Sequence, residues 1–223
     1  MDDIKRTKFN VSILGEGKVG KTSICSVFLG NEFKELTLQT VGLENVLVPV
    51  KFEGKNYKFK IFDTAGQERY RSIEKNTITL ADGFLLVFAV DDKKTFQLLG
   101  EWIRSIEDKC DIKKKVLILI GNKIDKENRE VTKEEALSFA KANKIKYFET
   151  SAKNGTGIKE IFNLIFEEIY KKYKEIEIVE KAEKDQNNSK ENKSPTVILD
   201  NEEKINKNNT KNKKKKEQKG GFC

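Results

Sequence analysis

Gly15-Glu16-Gly17-Lys18-Val19-Gly20-Lys21-Thr22 follows the β-branched run Phe9–Leu14 and opens a segment, Lys21–Leu29, that reads as a helix. A strand that enters a glycine-rich turn and leaves as a helix begins an α/β unit. The octapeptide fits G-x-x-x-x-G-K-[ST]. Its glycines let the backbone curl so that N–H groups face a phosphate chain. Lys21 then reaches the β/γ-phosphates and Thr22 holds Mg²⁺. The positive end of the following helix adds to the attraction. The same residues also fit G-x-G-x-x-G, the dinucleotide fingerprint, and position between strand and helix does not separate the two. Lys21-Thr22 favours the phosphate loop, and downstream residues decide.

Working outward, Leu43–Phe52 and Lys55–Asp63 alternate in polarity and meet around Gly54, which predicts a hairpin. Pro49 lies in the first of them and places that strand at a sheet edge, where a missing N–H costs little. Gly83–Val90 (GFLLVFAV) and Val116–Ile120 (VLILI) are continuous apolar runs, suited to parallel strands covered on both faces. Leu99, Trp102, Ile103 and Ile106 recur at helical spacing. Thr132 with Glu135 predicts a capping box before another helix. Ile145–Thr150 reads as a strand, and Ile158, Ile161, Phe162, Ile165 and Ile169 as the apolar stripe of a last helix. Alternating strands and helices imply a mainly parallel sheet wrapped by helices. From about Lys174, Asn, Lys, Glu and Gln dominate. The expectation is a folded domain over 1–173 and a disordered tail over 174–223.

Two further stretches bear on chemistry. Asn122-Lys123-Ile124-Asp125 follows VLILI. An Asp here can accept hydrogen bonds from N1–H and the exocyclic amine of guanine. Adenine offers neither and leaves a buried carboxylate unpaired, and sites built this way discriminate by roughly 10⁴-fold or more. Asn122 can brace neighbouring backbone, and the Lys123 stem can lie along the base. Glu149-Thr150-Ser151-Ala152-Lys153 can offer a backbone N–H to the guanine carbonyl. Asp63-Thr64-Ala65-Gly66-Gln67-Glu68 ends a strand. There Asp63 can order Mg²⁺ through water, the Gly66 N–H can approach the γ-phosphate, and Gln67 can orient the attacking water. The alternative for Asp63 is a turn-forming Asp. Thr40 can bind Mg²⁺ and γ-phosphate together, although Thr37 lies three residues away. Loss of the γ-phosphate then releases two loops. No Arg occurs from Asn31 to Gly42, so that loop supplies no arginine finger. Slow hydrolysis alone, accelerated by a partner that inserts an Arg, is the expectation. Arg69 and Arg71 are surface residues or switch contacts.

GEGKVGKT, Thr40, DTAGQE, NKID and ETSAK, in this order, closely resemble the Ras superfamily of small GTPases over about residues 8–173. DTAGQERYRSI, the Trp102 helix and ETSAK look most like the Rab family. The resemblance implies an α/β P-loop G domain: a six-stranded, mainly parallel sheet with one antiparallel edge strand and helices on both faces. It implies bound GTP or GDP with Mg²⁺. The phosphate-binding set is Gly15, Gly17, Lys18, Val19, Gly20, Lys21, Thr22, Ser23, Thr40 and Gly66. The metal set is Thr22, Thr40 and Asp63. The guanine set is Phe33, Asn122, Lys123, Asp125, Ser151, Ala152 and Lys153, and Gln67 is catalytic. For Phe33, simple burial after the first helix stays open. Asn45, Phe62, the segment Asn76–Thr79 and Gly83–Ala89 depart from the Rab pattern. They fall on surfaces that Rab effectors read.

Composition bounds the remaining functions. No His is present among the 223 residues, which removes His general-base catalysis and Cys/His zinc sites. No apolar run approaches the ~18 residues of a spanning helix, and the first residues do not read as a signal peptide. Cys25, Cys110 and Cys223 suggest no disulfide framework and point to a reducing, cytosolic compartment. The net charge of +8 is concentrated between Lys204 and Lys219, where eight Lys face one Glu; the rest is nearly neutral, unlike a nucleic-acid-binding domain. Cys223 stands last in the sequence, and no CaaX box is expected. By resemblance a geranylgeranyl group on Cys223 is expected, with a free thiol as the alternative. One lipid needs a second signal, which Lys213–Lys216 can supply unless they are simply solvated linker. Val197-Ile198-Leu199 resembles the motif by which Rab tails dock on their prenylation escort.

The expected function is a trafficking GTPase switch, a monomer cycling between cytosol and the cytoplasmic face of an intracellular membrane. Its partners are a GTPase-activating protein, an exchange factor, a GDP-dissociation inhibitor or escort, and effectors. A Ras-like signalling GTPase, a non-hydrolysing GTP-binding scaffold and, more remotely, a dinucleotide oxidoreductase are the alternatives.

Overall fold

The computed structural model describes residues 6–35, 43–64 and 77–191. Thr40, Gly66, Gln67 and Cys223 lie outside the described residues. Among the described residues, six strands make one sheet in the order β2-β3-β1-β4-β5-β6. They are β1 (Lys8–Leu14), β2 (Leu43–Phe52), β3 (Lys55–Thr64), β4 (Gly83–Ala89), β5 (Val116–Asn122) and β6 (Lys146–Thr150). Every neighbouring pair is parallel except β2 with β3. This is the sheet the sequence leads one to expect, with Pro49 on the edge strand.

The two apolar runs explain the layering. Successive strand residues face opposite sides. In β4, Leu85, Val87 and Ala89 join one buried cluster, while Phe84, Leu86 and Phe88 join another. In β5, Ile118 and Ile120 divide from Leu117 and Leu119 in the same way. Both faces are thus apolar and both need cover, so Gly83–Ala89, and Phe62 with them, lie in the core and not on the effector-reading surfaces where the resemblance put them. Helix α1 (Lys21–Phe28) and helix α5 (Ile158–Glu191) cover the first, with Phe28 stacked on Phe162 at 3.8 Å. Helices α3 (Leu99–Glu107) and α4 (Lys133–Ala142) cover the second through Leu99, Ile103, Ile106, Ala136 and Ala140.

Local chemistry sets the connections. Glu53 (φ 47°) and Gly54 (φ 77°) form the two-residue hairpin turn, both left-handed, which matches strand twist. Tyr170 donates to Glu53 Oε2 at 2.8 Å and its ring stacks on Phe52 at 4.6 Å, tying hairpin to α5. The capping box is present: Glu135 N–H donates to Thr132 Oγ1 at 3.1 Å, and Thr132 N–H to Glu135 Oε2 at 2.9 Å. That bond, then the Lys93 ammonium, holds the Glu135 carboxyl below the usual carboxylate range. A short helix, α2 (Lys93–Gln97), was not expected; Asp92 caps it by accepting from Lys94 N–H at 3.0 Å. Helix α5 also runs past Tyr173 to Glu191, into the segment read from sequence as disordered. Ile176, Ile178 and Val179 keep apolar residues in that stretch, and Lys and Glu are good helix formers. Contacts divide the chain after Lys181.

Candidate functional site

The candidate residues gather at the carboxyl ends of parallel strands, where open α/β sheets place ligands. Gly15–Thr22 follows β1, Asp63 is the next-to-last residue of β3, Asn122 ends β5 with Lys123–Asp125 after it, and Ser151–Lys153 follows β6. The register of Ile13 with Asp63 sets the end of β3 beside the start of the glycine loop.

The loop is tightly built. Gly15 has φ 139°, and a Cβ there would lie 2.1 Å from the Val87 carbonyl oxygen. Gly20 has φ 97°, and a Cβ there would lie 2.5 Å from Asn122 Nδ2. Neither place admits another residue. Lys21 is 5% exposed, and its ammonium donates to the carbonyls of Gly15 and Glu16, each at 2.8 Å. A buried lysine so placed sits inside the curl of the loop. Lys18 is exposed and left-handed (φ 64°), Val19 is buried, and Gly17, Thr22 and Ser23 are half-buried. The Glu16 carboxylate accepts from Trp102 Nε1 at 3.0 Å.

Asn122 connects this loop to two others. It is 1% exposed. Its Nδ2 donates to the Val19 carbonyl at 2.8 Å, and its Oδ1 accepts from Thr150 Oγ1 at 3.0 Å and Ala152 N–H at 3.3 Å. Lys123 is left-handed (φ 70°), and its ammonium pairs with Asp91 at 3.2 Å. Backbone strain of this kind collects at functional sites. Ser151 donates to Asp125 Oδ1 at 2.6 Å and accepts from Asn154 N–H at 3.3 Å. Lys153 is exposed. Behind them, Glu149 accepts from Arg129 at 2.7 Å and Tyr147 at 2.9 Å. Burial first, and this carboxylate second, push the Tyr147 phenol far up, so it remains a neutral donor.

Phe33 is half-buried against the cluster that α1 and α5 cover. The sequence reading did not single out Thr150, Asp91 or Arg129 as parts of this framework, nor pair Trp102 with Glu16. Their partners lie 20 to 86 residues away, so no local pattern marks them.

The donor set fits a nucleotide held with Mg²⁺. Mg²⁺ takes oxygen ligands, commonly one or two from protein and the rest from phosphate and water. Thr22, half-buried at the start of α1, and Asp63, 4% exposed, are of that kind. Among the described residues no cluster of three or more His, Cys, Asp or Glu could cage a metal unaided.

Comparison with known proteins agrees with this arrangement. The model of the Ras family matches residues 10–171. The Ras-related protein Rab-18-B of Danio rerio is 36% identical over 169 residues, covering 76% of this chain and 82% of that protein. The Ras-related protein Rab-13 of Canis lupus familiaris is 35% identical over 162 residues, covering 72% of this chain and 79% of that protein.

Proposed function

Because the chain belongs to the Ras family of small GTPases and is Rab-like within it, we propose that it recruits trafficking effectors to a membrane while GTP is bound and hydrolyses GTP slowly unaided. As a member of that family it is a GTP/GDP switch converting GTP and water to GDP and phosphate. The observation that carries the reading is the reach of Asn122: one buried side chain holds the glycine loop and the Ser151–Ala152 loop in register. A ligand with phosphates at one end and a base at the other needs that spacing held fixed.

In this reading the backbone N–H groups from Gly15 to Ser23 and the Lys21 ammonium bind the phosphates. The glycine cradle at positions 15 and 20 supports it, since any side chain there collides. Asp125 takes N1–H and the amine of guanine. A carboxylate has about four acceptor sites, so the bond from Ser151 aims it without exhausting it. Ala152 N–H, held only by a long bond, and Lys153 N–H serve the guanine carbonyl. The Lys123 stem lies along one face of the base, its ammonium anchored by Asp91. Phe33 is assigned to the base edge, although its packing serves the core as well. Thr22 and Asp63, with Thr40, would hold Mg²⁺, which would supply positive charge to offset that developing on the phosphates. Gly66 meets the γ-phosphate, and Gln67 orients the water for in-line attack. Hydrolysis then leaves Thr40 and Gly66 without their ligand, which releases effectors.

The folded domain ends near Tyr173 in this proposal, and the basic tail with a lipidated Cys223 supplies the membrane contact. No helix among the described residues is long and apolar enough to cross a membrane. A GTPase-activating protein, an exchange factor and a GDP-dissociation inhibitor or escort complete the cycle.

Nucleotide competition and single-turnover hydrolysis on purified protein test the core of this reading. Asp125→Asn should move preference from guanine towards xanthine nucleotides. Gln67→Leu should slow hydrolysis at least tenfold, the scale of one positioned proton-handling or water-orienting group. Unchanged selectivity, or an unchanged rate, rejects the corresponding assignment.

A further inference from the structure

A carboxylate inside a phosphate-binding loop is an electrostatic anomaly. Every other feature of Gly15–Thr22 favours an anion: N–H groups, the start of α1 and the Lys21 ammonium. Glu16 carries the opposite charge in the middle of that surface. Its backbone cannot move away, because its carbonyl accepts from Lys21 at 2.8 Å. Its side chain is held elsewhere. Trp102 Nε1 donates to Glu16 Oε1 at 3.0 Å across 86 residues of sequence.

Trp102 is a fixed post. It is half-buried on α3, whose Leu99, Ile103 and Ile106 are locked into the sheet-facing cluster, and it packs against that cluster itself. An indole N–H is a donor only, so it can satisfy a carboxylate while Lys21 keeps the loop carbonyls, and it offers no acceptor to the Lys21 ammonium or the loop N–H groups. A hydrogen bond to an ionised acceptor is among the stronger kinds, and it restricts the position of that acceptor.

We propose that Trp102 is a positioning residue for nucleotide retention, holding the Glu16 carboxylate off the phosphates. Without that bond the carboxylate is released to rotate over the loop, and like charge raises the energy of the nucleotide-bound state. The consequence is faster loss of GDP rather than loss of the fold. This deepens the phosphate-loop reading and rests on it.

The experiment is release of fluorescent GDP from the full chain in magnesium buffer, for wild type, Trp102→Phe, and Trp102→Phe combined with Glu16→Gln. Phe keeps most of the ring volume and removes the donor. Trp102→Phe should release GDP about tenfold faster, the worth of one charge-assisted hydrogen bond. Adding Glu16→Gln removes the liberated charge and should recover most of that loss. A role in packing alone predicts no such rescue, so a double variant as fast as Trp102→Phe overturns the proposal. Release from Trp102→Phe at the wild-type rate overturns it too. Wild type that holds no guanine nucleotide at all would instead undo the phosphate-loop reading. Should Trp102→Phe not fold, the single tryptophan of the chain gives one indole N–H resonance by NMR. That resonance should exchange slowly and shift upfield in Glu16→Ala. An indole signal indifferent to Glu16 overturns the proposal equally.

Discussion

Replacing Asn122 with Ala removes three hydrogen bonds at a residue only 1% exposed, to Val19 O, Thr150 Oγ1 and Ala152 N. The abandoned partners are buried as well: Val19 and Thr150 are 0% exposed, and Ala152 is 4% exposed. Leaving a buried polar group unmet costs ~1–3 kcal/mol. With GDP bound, the Ala152 N–H keeps the guanine carbonyl proposed for it, and water can enter the space vacated beside Val19, so the low end applies to the other two, about 2 kcal/mol; a tenfold weaker hold on GDP adds about 1 kcal/mol, giving about 3 kcal/mol in all. That is a large share of the ~5–15 kcal/mol that holds a domain together. The loss should divide between two measurements. Urea unfolding of GDP-loaded protein, at one fixed GDP concentration, should show stability lower by about 3 kcal/mol with the slope unchanged. GDP release should also quicken at least tenfold, because the loops on either side of Asn122 no longer keep a common spacing. A variant that loses stability yet releases GDP at the wild-type rate would show that Asn122 supports the fold alone. Unfolding within about 0.5 kcal/mol of wild type would refute the hydrogen-bond accounting itself.

Two other outcomes test separate parts of the molecule. Thr132→Ala should cost about 1 kcal/mol in thermal or urea unfolding, since one half of the capping box disappears while the Glu135 half stays. The Glu135 half has its own signature: its carboxyl is held below the usual range, so its contribution is present at neutral pH. It fades as acid brings the pH down through the folded-state value, and the stability gap between wild type and Glu135→Gln should close over that interval. At the far end of the chain, Cys223→Ser should shift the protein from the membrane pellet to the supernatant on fractionation. Undiminished pelleting would remove the anchor.

The architecture is written largely in local pattern, and the site only partly. GFLLVFAV and VLILI show no alternation, which already requires cover on both faces, and the two buried clusters divide their residues one by one. Pro49 marks an edge because a sheet interior cannot do without its N–H, and β2 is that edge. Thr132 with Glu135 works the same way, as a cap three residues wide. Helix α2 shows no periodic signal because five residues are too short a window, and Asp92 is its only marker. The end of α5 was obscured by composition. Asn, Lys and Glu dilute the apolar signal, but they do not prevent backbone hydrogen bonding in a helix already begun.

The limit at the site has a different cause. Residues that face a ligand must have particular chemistry, so glycine, lysine and aspartate at set spacings betray them. Residues that hold those residues in place need only reach them. Thr150 reaches Asn122 over 28 positions, Arg129 reaches Glu149 over 20, and Trp102 reaches Glu16 over 86. Each looks ordinary in its own neighbourhood. Together they fix the ends of β5 and β6 and the crest of the glycine loop, on which a ligand contacting both must depend. For a switch that distinction carries the mechanism. The contacts that report a missing γ-phosphate have to break, whereas those that grip the base and the inner phosphates have to survive every turnover. The network running from Trp102 through Glu16 and Lys21, and from Val19 through Asn122 to Thr150, is built from buried or half-buried bonds within the protein itself, so in the proposed function it has no need to break when the γ-phosphate is lost.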